Sequence, residues 1–144
     1  KENQNKEIWK DDILKAISDE VKIEMPEILV MSEKERIMRN LEREAEHLKL
    51  SFEDYLKQIK KTMERVEKEA LERASQRVKN YLILKEIGKK EDIEVSGEDI
   101  DAETNRILAS YPQTKAQEID KESVKSVLYN NKVFTALEKF CGKN

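Results

Sequence analysis

TMERVEKEALERASQRVKNYLILKEIGKK, residues 62–90, is the stretch on which the fold turns. It reads as one long helix of about eight turns at ~3.6 residues per turn. Val66, Ala70, Ala74, Val78 and Tyr81 recur every three or four positions and so form one stripe, which Leu71, Leu82 and Leu84 widen into a core-facing side. The opposite side is charged. Glu64 precedes Lys68 and Glu69 precedes Arg73 by one turn, the orientation that supports an exposed helix. Thr62 can cap the first turn, Glu64 and Glu67 suit the positive end of the dipole, and Gly88 with Lys89 and Lys90 reads as the far end. From Tyr81 to Ile87 apolar residues point nearly all round, since Ile83 and Ile87 fall off the stripe. That end needs a second apolar partner, either another part of the chain or a ligand peptide.

Working outward, residues 6–21 place Trp9, Ile13, Ala16 and Ile17 at helical spacing, with Trp9 as a packing anchor. Residues 22–25 run extended into Pro26, because proline disfavours helical geometry in the residue before it and suits the first turn of a helix. The helix entered there, about 26–47, sets Val30, Ile37, Leu41, Ala45 and Leu48 along one side, with Met31 and Met38 at its edge. Ser51, followed by Glu53 and Asp54, caps a short helix carrying Phe52, Tyr55, Leu56 and Ile59. Beyond residue 90, Ser96 and Asp99 form a capping-box pattern with a shortened acid, and Ile100, Ile107 and Leu108 face inward from a helix that Pro112 stops near Tyr111. A final helix, about 120–140, carries Val124, Val127 and Leu128 on one side and Val133, Phe134, Leu137 and Phe140 about a third of a turn away, so its halves meet different neighbours.

Composition agrees with an all-α chain of high surface-to-core ratio. Of 144 residues, 38% are hydrophobic and 41% charged, with three glycines and two prolines, against roughly 45–50% and 25% in ordinary domains. The expected form is an extended multi-helix domain, 1–144, around a long central helix. Lys and Arg number 28 and Asp and Glu 31, a net charge of −3 in mixed signs, which provides no broad basic field for nucleic acid. No apolar run approaches a membrane span and no signal-peptide pattern opens the chain, so a cytoplasmic protein is expected. The chain begins without Met, inside a charged helical pattern, and reads as part of a longer protein. His47 is the sole histidine and Cys141 the sole cysteine; neither sits in a metal-ligand or nucleophile pattern, and there is no glycine-rich phosphate loop. No cofactor, metal or catalytic residue is expected, with Cys141 taken as a small packing residue.

The order of these signals resembles the C-terminal domain of trigger factor, a ribosome-associated bacterial chaperone, from about residue 13 to 140. The resemblance rests on Met25-Pro26-Glu27 leading to Ile37-Met38-Arg39-Asn40-Leu41, on Leu50-Ser51-Phe52-Glu53-Asp54-Tyr55-Leu56, on Arg77-Val78-Lys79-Asn80-Tyr81-Leu82-Ile83-Leu84, and on Ile93-Glu94-Val95-Ser96 leading to Ile100-Asp101-Ala102-Glu103. It implies a body with two projecting helical arms around an open cradle, holding unfolded or nascent polypeptides without nucleotide and assisting folding and export. The family's G-F-R-x-G ribosome signature and its prolyl-isomerase domain are not in this sequence, so a ribosome partner is expected only through a part outside it. The connection from Tyr111 to Glu122 is shorter than the family's usual one, which bears on the last arm. Self-association is a further expectation. The competing readings are a structural helical interaction module and a related periplasmic-type chaperone core.

Client contacts are expected on apolar residues least needed for the central packing: Met31, Met38, Phe52, Tyr55, Ile59, Ile83, Tyr111 and Phe140. The argument for Ile83 is angular. The methionines adapt to irregular partners, and the aromatic rings offer large area with little rotamer entropy to lose.

Overall fold

A computed structural model describes the backbone of residues 2–141 and the side chains of residues 4–140. Among these residues the secondary structure is six α-helices and one 3-10 turn: α1 Glu2–Glu20, α2 Glu27–His47, α3 Phe52–Gln58, α4 Met63–Lys90, α5 Gly97–Ser110, the turn Ala116–Glu118, and α6 Lys121–Cys141. The all-α expectation holds. The chain divides into two compact units, Lys1–Ile83 and Leu84–Asn144, and the division falls inside α4.

In the first unit α2 packs on α4. Its core is Val30, Ile37, Ala70, Ala74 and Val78, flanked by Met25, Met38 and Leu82. Glu33 pairs with Arg77, Leu29 shares a groove with Tyr81, and Leu41 shares another with Val66 and Glu69, so the two helices run antiparallel. Pro26 accepts the Leu29 and Val30 amides on its carbonyl, which starts α2 where the sequence indicated. Ser51 caps α3, its hydroxyl accepting from the Asp54 amide at 3.1 Å, and Thr62 caps α4 through the Arg65 amide at 3.3 Å. Leu14 and Ser18 are the buried residues of α1, while Ala16 is exposed and Trp9 half-buried. The inward face of α1 is thus rotated from the expected one, because Ser18 finds partners on α4. Gln76 donates to its hydroxyl at 3.0 Å, and the Lys79 ammonium donates to its backbone carbonyl near the helix end.

Several expected core positions lie outside it. Tyr81 and Leu48 are more than half exposed and Leu71 lies at the surface, so the α4 stripe narrows to its four-residue series of Val66, Ala70, Ala74 and Val78. Glu69 bonds Lys61 and Arg65 rather than Arg73.

The second unit consists of the end of α4, α5 and α6, with α5 packed on α6. Leu84, Thr104, Val124, Val133 and Phe134 are buried, whereas Val127 is exposed. α4 ends at Lys90, where the sequence places its end, with Gly88 inside the last turn; a Cβ at Gly88 would stand 1.8 Å from the Tyr129 hydroxyl and 2.3 Å from the ring carbon bearing it. Glycine is required for this close approach, and Tyr129 donates to the Lys85 carbonyl at 3.2 Å. The turn after α4 is closed at Asp92 with φ 50°, where Ile93 donates to the Gly88 carbonyl at 2.8 Å. The capping box at α5 is as expected, Ser96 and Asp99 exchanging bonds of 3.1 Å. Lys132 from α6 reinforces it, donating to the Asp99 carboxylate at 2.7 Å and to the Glu94 carbonyl at 2.8 Å. Asp120 caps α6 through the Glu122 amide at 3.0 Å.

Candidate functional site

Among the described residues no group of three or more His, Cys, Asp or Glu could hold a metal ion, and no helix is long and apolar enough to cross a membrane. The surface features that invite a ligand are apolar. Residues 28–31 are four consecutive apolar side chains at the start of α2, and a helix can turn only part of such a run inward. Val30 takes the core position, leaving Leu29 and Met31 partly exposed and Ile28 78% exposed. Across from them Tyr81 is 56% exposed. Leu29, Val78 and Tyr81 line a groove of about 290 Å³ with Ser32, Glu33, Arg36 and Arg77. Its polar part is one carboxylate between two guanidinium groups: Arg36 at 2.7 Å and Arg77 at 3.0 Å both donate to Glu33 Oε1. Burial alone raises the Glu33 carboxyl, but the bonds and charges of the two arginines outweigh it and hold the group below its ordinary value of 4.5.

The second unit has its own, larger groove of about 720 Å³, lined by Ile93, Thr135, Ala136 and Phe140 together with the charged Glu91, Asp92, Glu94, Lys132 and Lys139. Phe140 is 67% exposed there. Lys132 is committed to Asp99, whose carboxyl is held low first by that bond and then by the Ser96 amide.

Of the eight residues expected to meet clients, Met31, Met38, Phe52, Tyr55, Ile59 and Ile83 lie in the first unit and Tyr111 and Phe140 in the second. Tyr55 at 5% exposure and Ile83 at 3% are buried, so neither offers the free area expected of it. Tyr55 is drawn in because α3 is a single short helix that can be held only by its inner face, and burial, followed by the Glu44 carboxylate, raises its hydroxyl above 10.0. Ile83, the last residue of the first unit, is buried, as is Leu84, the first of the second. Met38 is half-buried against the α2–α4 core, Ile59 half-buried beside Leu41 and Val66, and Phe52 stacks on Tyr55 at 6.3 Å between ring centres. Met31, Tyr111 and Phe140 are exposed, on α2, at the end of α5 and on α6 respectively. The placement of the Cys141 side chain lies outside the described residues. Leu29 and Tyr81 were not among the expected contacts. The run 28–31 carried the signal for Leu29; Tyr81 was hidden because it continues the stripe by number while its ring reaches the surface.

The family described as "Bacterial trigger factor protein (TF) C-terminus" matches residues 1–139. The chain belongs to the trigger factor family, as its C-terminal part. It is 35% identical over 121 residues to the trigger factor of Carboxydothermus hydrogenoformans, covering 84% of this chain and 28% of that protein. To the trigger factor of Halothermothrix orenii it is 32% identical over 117 residues, 81% of this chain and 27% of the relative. The trigger factor of Agathobacter rectalis is 28% identical over 111 residues, 77% of this chain and 25% of the relative. The chain thus spans about a quarter of the length of these trigger factors. It is the C-terminal region of the family and not the prolyl-isomerase domain. No solved structure matches it.

Proposed function

We propose that this trigger factor region holds unfolded or nascent polypeptides reversibly and without nucleotide, in the cytoplasm, so as to assist folding and export, while ribosome contact is made by other parts of the protein. The observation that carries this reading is the exposed apolar cluster on the first turns of α2, Ile28, Leu29 and Met31, beside the groove that Tyr81 walls. Magnitudes agree with holding rather than capture. Fully burying one large apolar side chain contributes ~1.5–3 kcal/mol, and a micromolar complex needs about −8 kcal/mol. A few shallow contacts engaged together suffice, and each alone lets go.

The test is suppression of aggregation of a chemically denatured client by this chain, read by light scattering. The expected result is suppression by the parent chain and its loss in Leu29→Ser/Tyr81→Ser/Phe140→Ser, with the thermal melting curve little changed because all three side chains are at the surface. A parent chain that leaves aggregation untouched, or a folded triple variant as active as the parent, would overturn the reading.

A further inference from the structure

We propose that the groove between α2 and α4 selects client segments in which an acidic residue stands beside a large apolar one. This rests on the holding function and names the class of segment that one groove prefers. The apolar half of the groove is Leu29, Val78 and the Tyr81 ring. The polar half carries two positive charges, Arg36 and Arg77, against one negative, Glu33. Both arginines reach the same carboxylate oxygen, Glu33 Oε1, each through a single terminal nitrogen. A guanidinium has five N–H donors arranged as a planar fork that matches a carboxylate. The internal carboxylate therefore answers only part of what the two forks offer.

Exposure points the same way. The Arg36 and Arg77 side chains are 61% and 53% exposed and Glu33 16%, so an incoming group meets the cations before the anion. An apolar client side chain seated against Tyr81 and Leu29 would displace water beside the two guanidinium groups, and that strengthens any charge-assisted bond formed there. The groove of the second unit has the opposite balance. Three acids, Glu91, Asp92 and Glu94, stand against two lysines, and one of those, Lys132, already bonds Asp99.

The experiment uses the whole chain and three short unstructured fluorescent peptides, identical except for Glu, Gln or Lys beside a central Leu-Phe pair. Binding is read by fluorescence anisotropy at low salt. The Glu peptide should bind about two- to fivefold more tightly than the Gln peptide, the range of an exposed ion pair, and the Lys peptide less tightly than either. Added salt should close the gap. Glu33→Gln removes the competing internal carboxylate, so it should widen the preference for the Glu peptide, a gain that loss of folding could not produce. Arg77→Gln should narrow it. Equal binding of the Glu and Gln peptides, or an unchanged preference in Glu33→Gln, would overturn the inference and leave the holding function standing. Failure of all three peptides to bind would overturn both.

Discussion

The two units close their helices together with a different balance of the same means. In the first, side chains of small or moderate size on one stripe meet another stripe: Ala70, Ala74 and Val78 of α4 against Val30 and Ile37 of α2. The second also buries an apolar set, Leu84, Val124, Val133 and Phe134. To it are added groups that reach backbone: Tyr129 lies over Gly88 and bonds the Lys85 carbonyl, and Lys132 bonds the Glu94 carbonyl, where the first unit has only Lys79 at the Ser18 carbonyl among the described bonds. The same helix, α4, takes part in both. Stripe packing depends on volume and is spoiled by any polar or bulky intruder. Packing on backbone depends on single donors and on one missing Cβ, so its energy lies in a few positions.

The largest expected effect strikes the stripe. Ala74 is fully buried, and Ala74→Asp places a carboxylate there without a partner, costing several kcal/mol against a total stability of about 5–15. Loss of the cooperative melt and of much helicity by circular dichroism is expected. A folded variant with an unaltered melting curve would show that the stripe is not the core.

A smaller effect distinguishes the notch. Gly88→Ala forces the Tyr129 ring to move, because the ring carbon as well as the hydroxyl stands inside contact distance. Overpacking of this kind costs ~1–3 kcal/mol, partly offset by the ~1 kcal/mol that alanine gains over glycine within a helix. A net loss of about 1 kcal/mol is expected by denaturant unfolding. In a Tyr129→Ala background the ring is gone and the helix term remains, so the same Gly88→Ala should become stabilising. If its sign does not change, Tyr129 is not what requires glycine.

Acid should weaken both units through identifiable pairs. Glu33 in the first unit and Asp99 in the second have carboxyls held below their ordinary values of 4.5 and 3.8. A lowered folded value means that the stabilisation is complete above the ordinary value and is lost as pH falls through the lowered one. The melting temperature should therefore fall on acidification from about pH 5 downward. Lys132→Met removes the larger cause at Asp99 and should flatten the part of that slope due to the second unit, leaving the Ser96 cap in place. A slope identical in the variant would mean that the Lys132 bond contributes nothing to folding.

These differences also mark what could be read in advance. Periodicity located every long helix, and Pro26, Ser51, Thr62 and Ser96 located their starts, because capping is local chemistry. The four-residue series Val66 to Val78 named the first core. Gly88 lies in the last turn of α4 as read, but the Tyr129 ring above it was not legible, because a helix-ending glycine and a glycine under an aromatic ring have the same spelling; only the partner, 41 positions away, separates them. Tyr81 and Ile83 exchanged roles for a related reason. Angular position on an ideal helix gives a side chain's direction but not what stands opposite, and along α4 the neighbour changes between one unit and the next. The groove at Leu29 and Tyr81 could be found only once α2 and α4 were set antiparallel, since its halves lie 52 positions apart.

The smallest effects concern the helix ends, where the units differ again. Among the described residues, three that are not glycine adopt left-handed backbone: Lys49 at φ 57°, Lys60 at φ 56° and Asp92 at φ 50°. Each stands just past a helix and closes the same double turn. After α2, Leu50 donates to Ala45 at 3.0 Å and Lys49 to Glu46 at 2.9 Å; after α3, Lys61 donates to Leu56 at 3.0 Å and Lys60 to Lys57 at 3.1 Å. After α4, Ile93 donates to Gly88 and Asp92 to Lys89. Glycine is the usual residue at such a position because a Cβ crowds the backbone there, and a non-glycine residue costs roughly 1–2 kcal/mol. Against that, glycine loses more backbone freedom on folding. Lys49→Gly and Lys60→Gly in the first unit should each therefore raise stability by about 0.5–1 kcal/mol. Asp92→Gly in the second should gain less, because the short acidic side chain tolerates the left-handed region better than lysine does. Denaturant midpoints of the three single variants test the order. An Asp92→Gly gain larger than either lysine variant's would mean that strain at these ends is set by the surrounding unit and not by the residue itself.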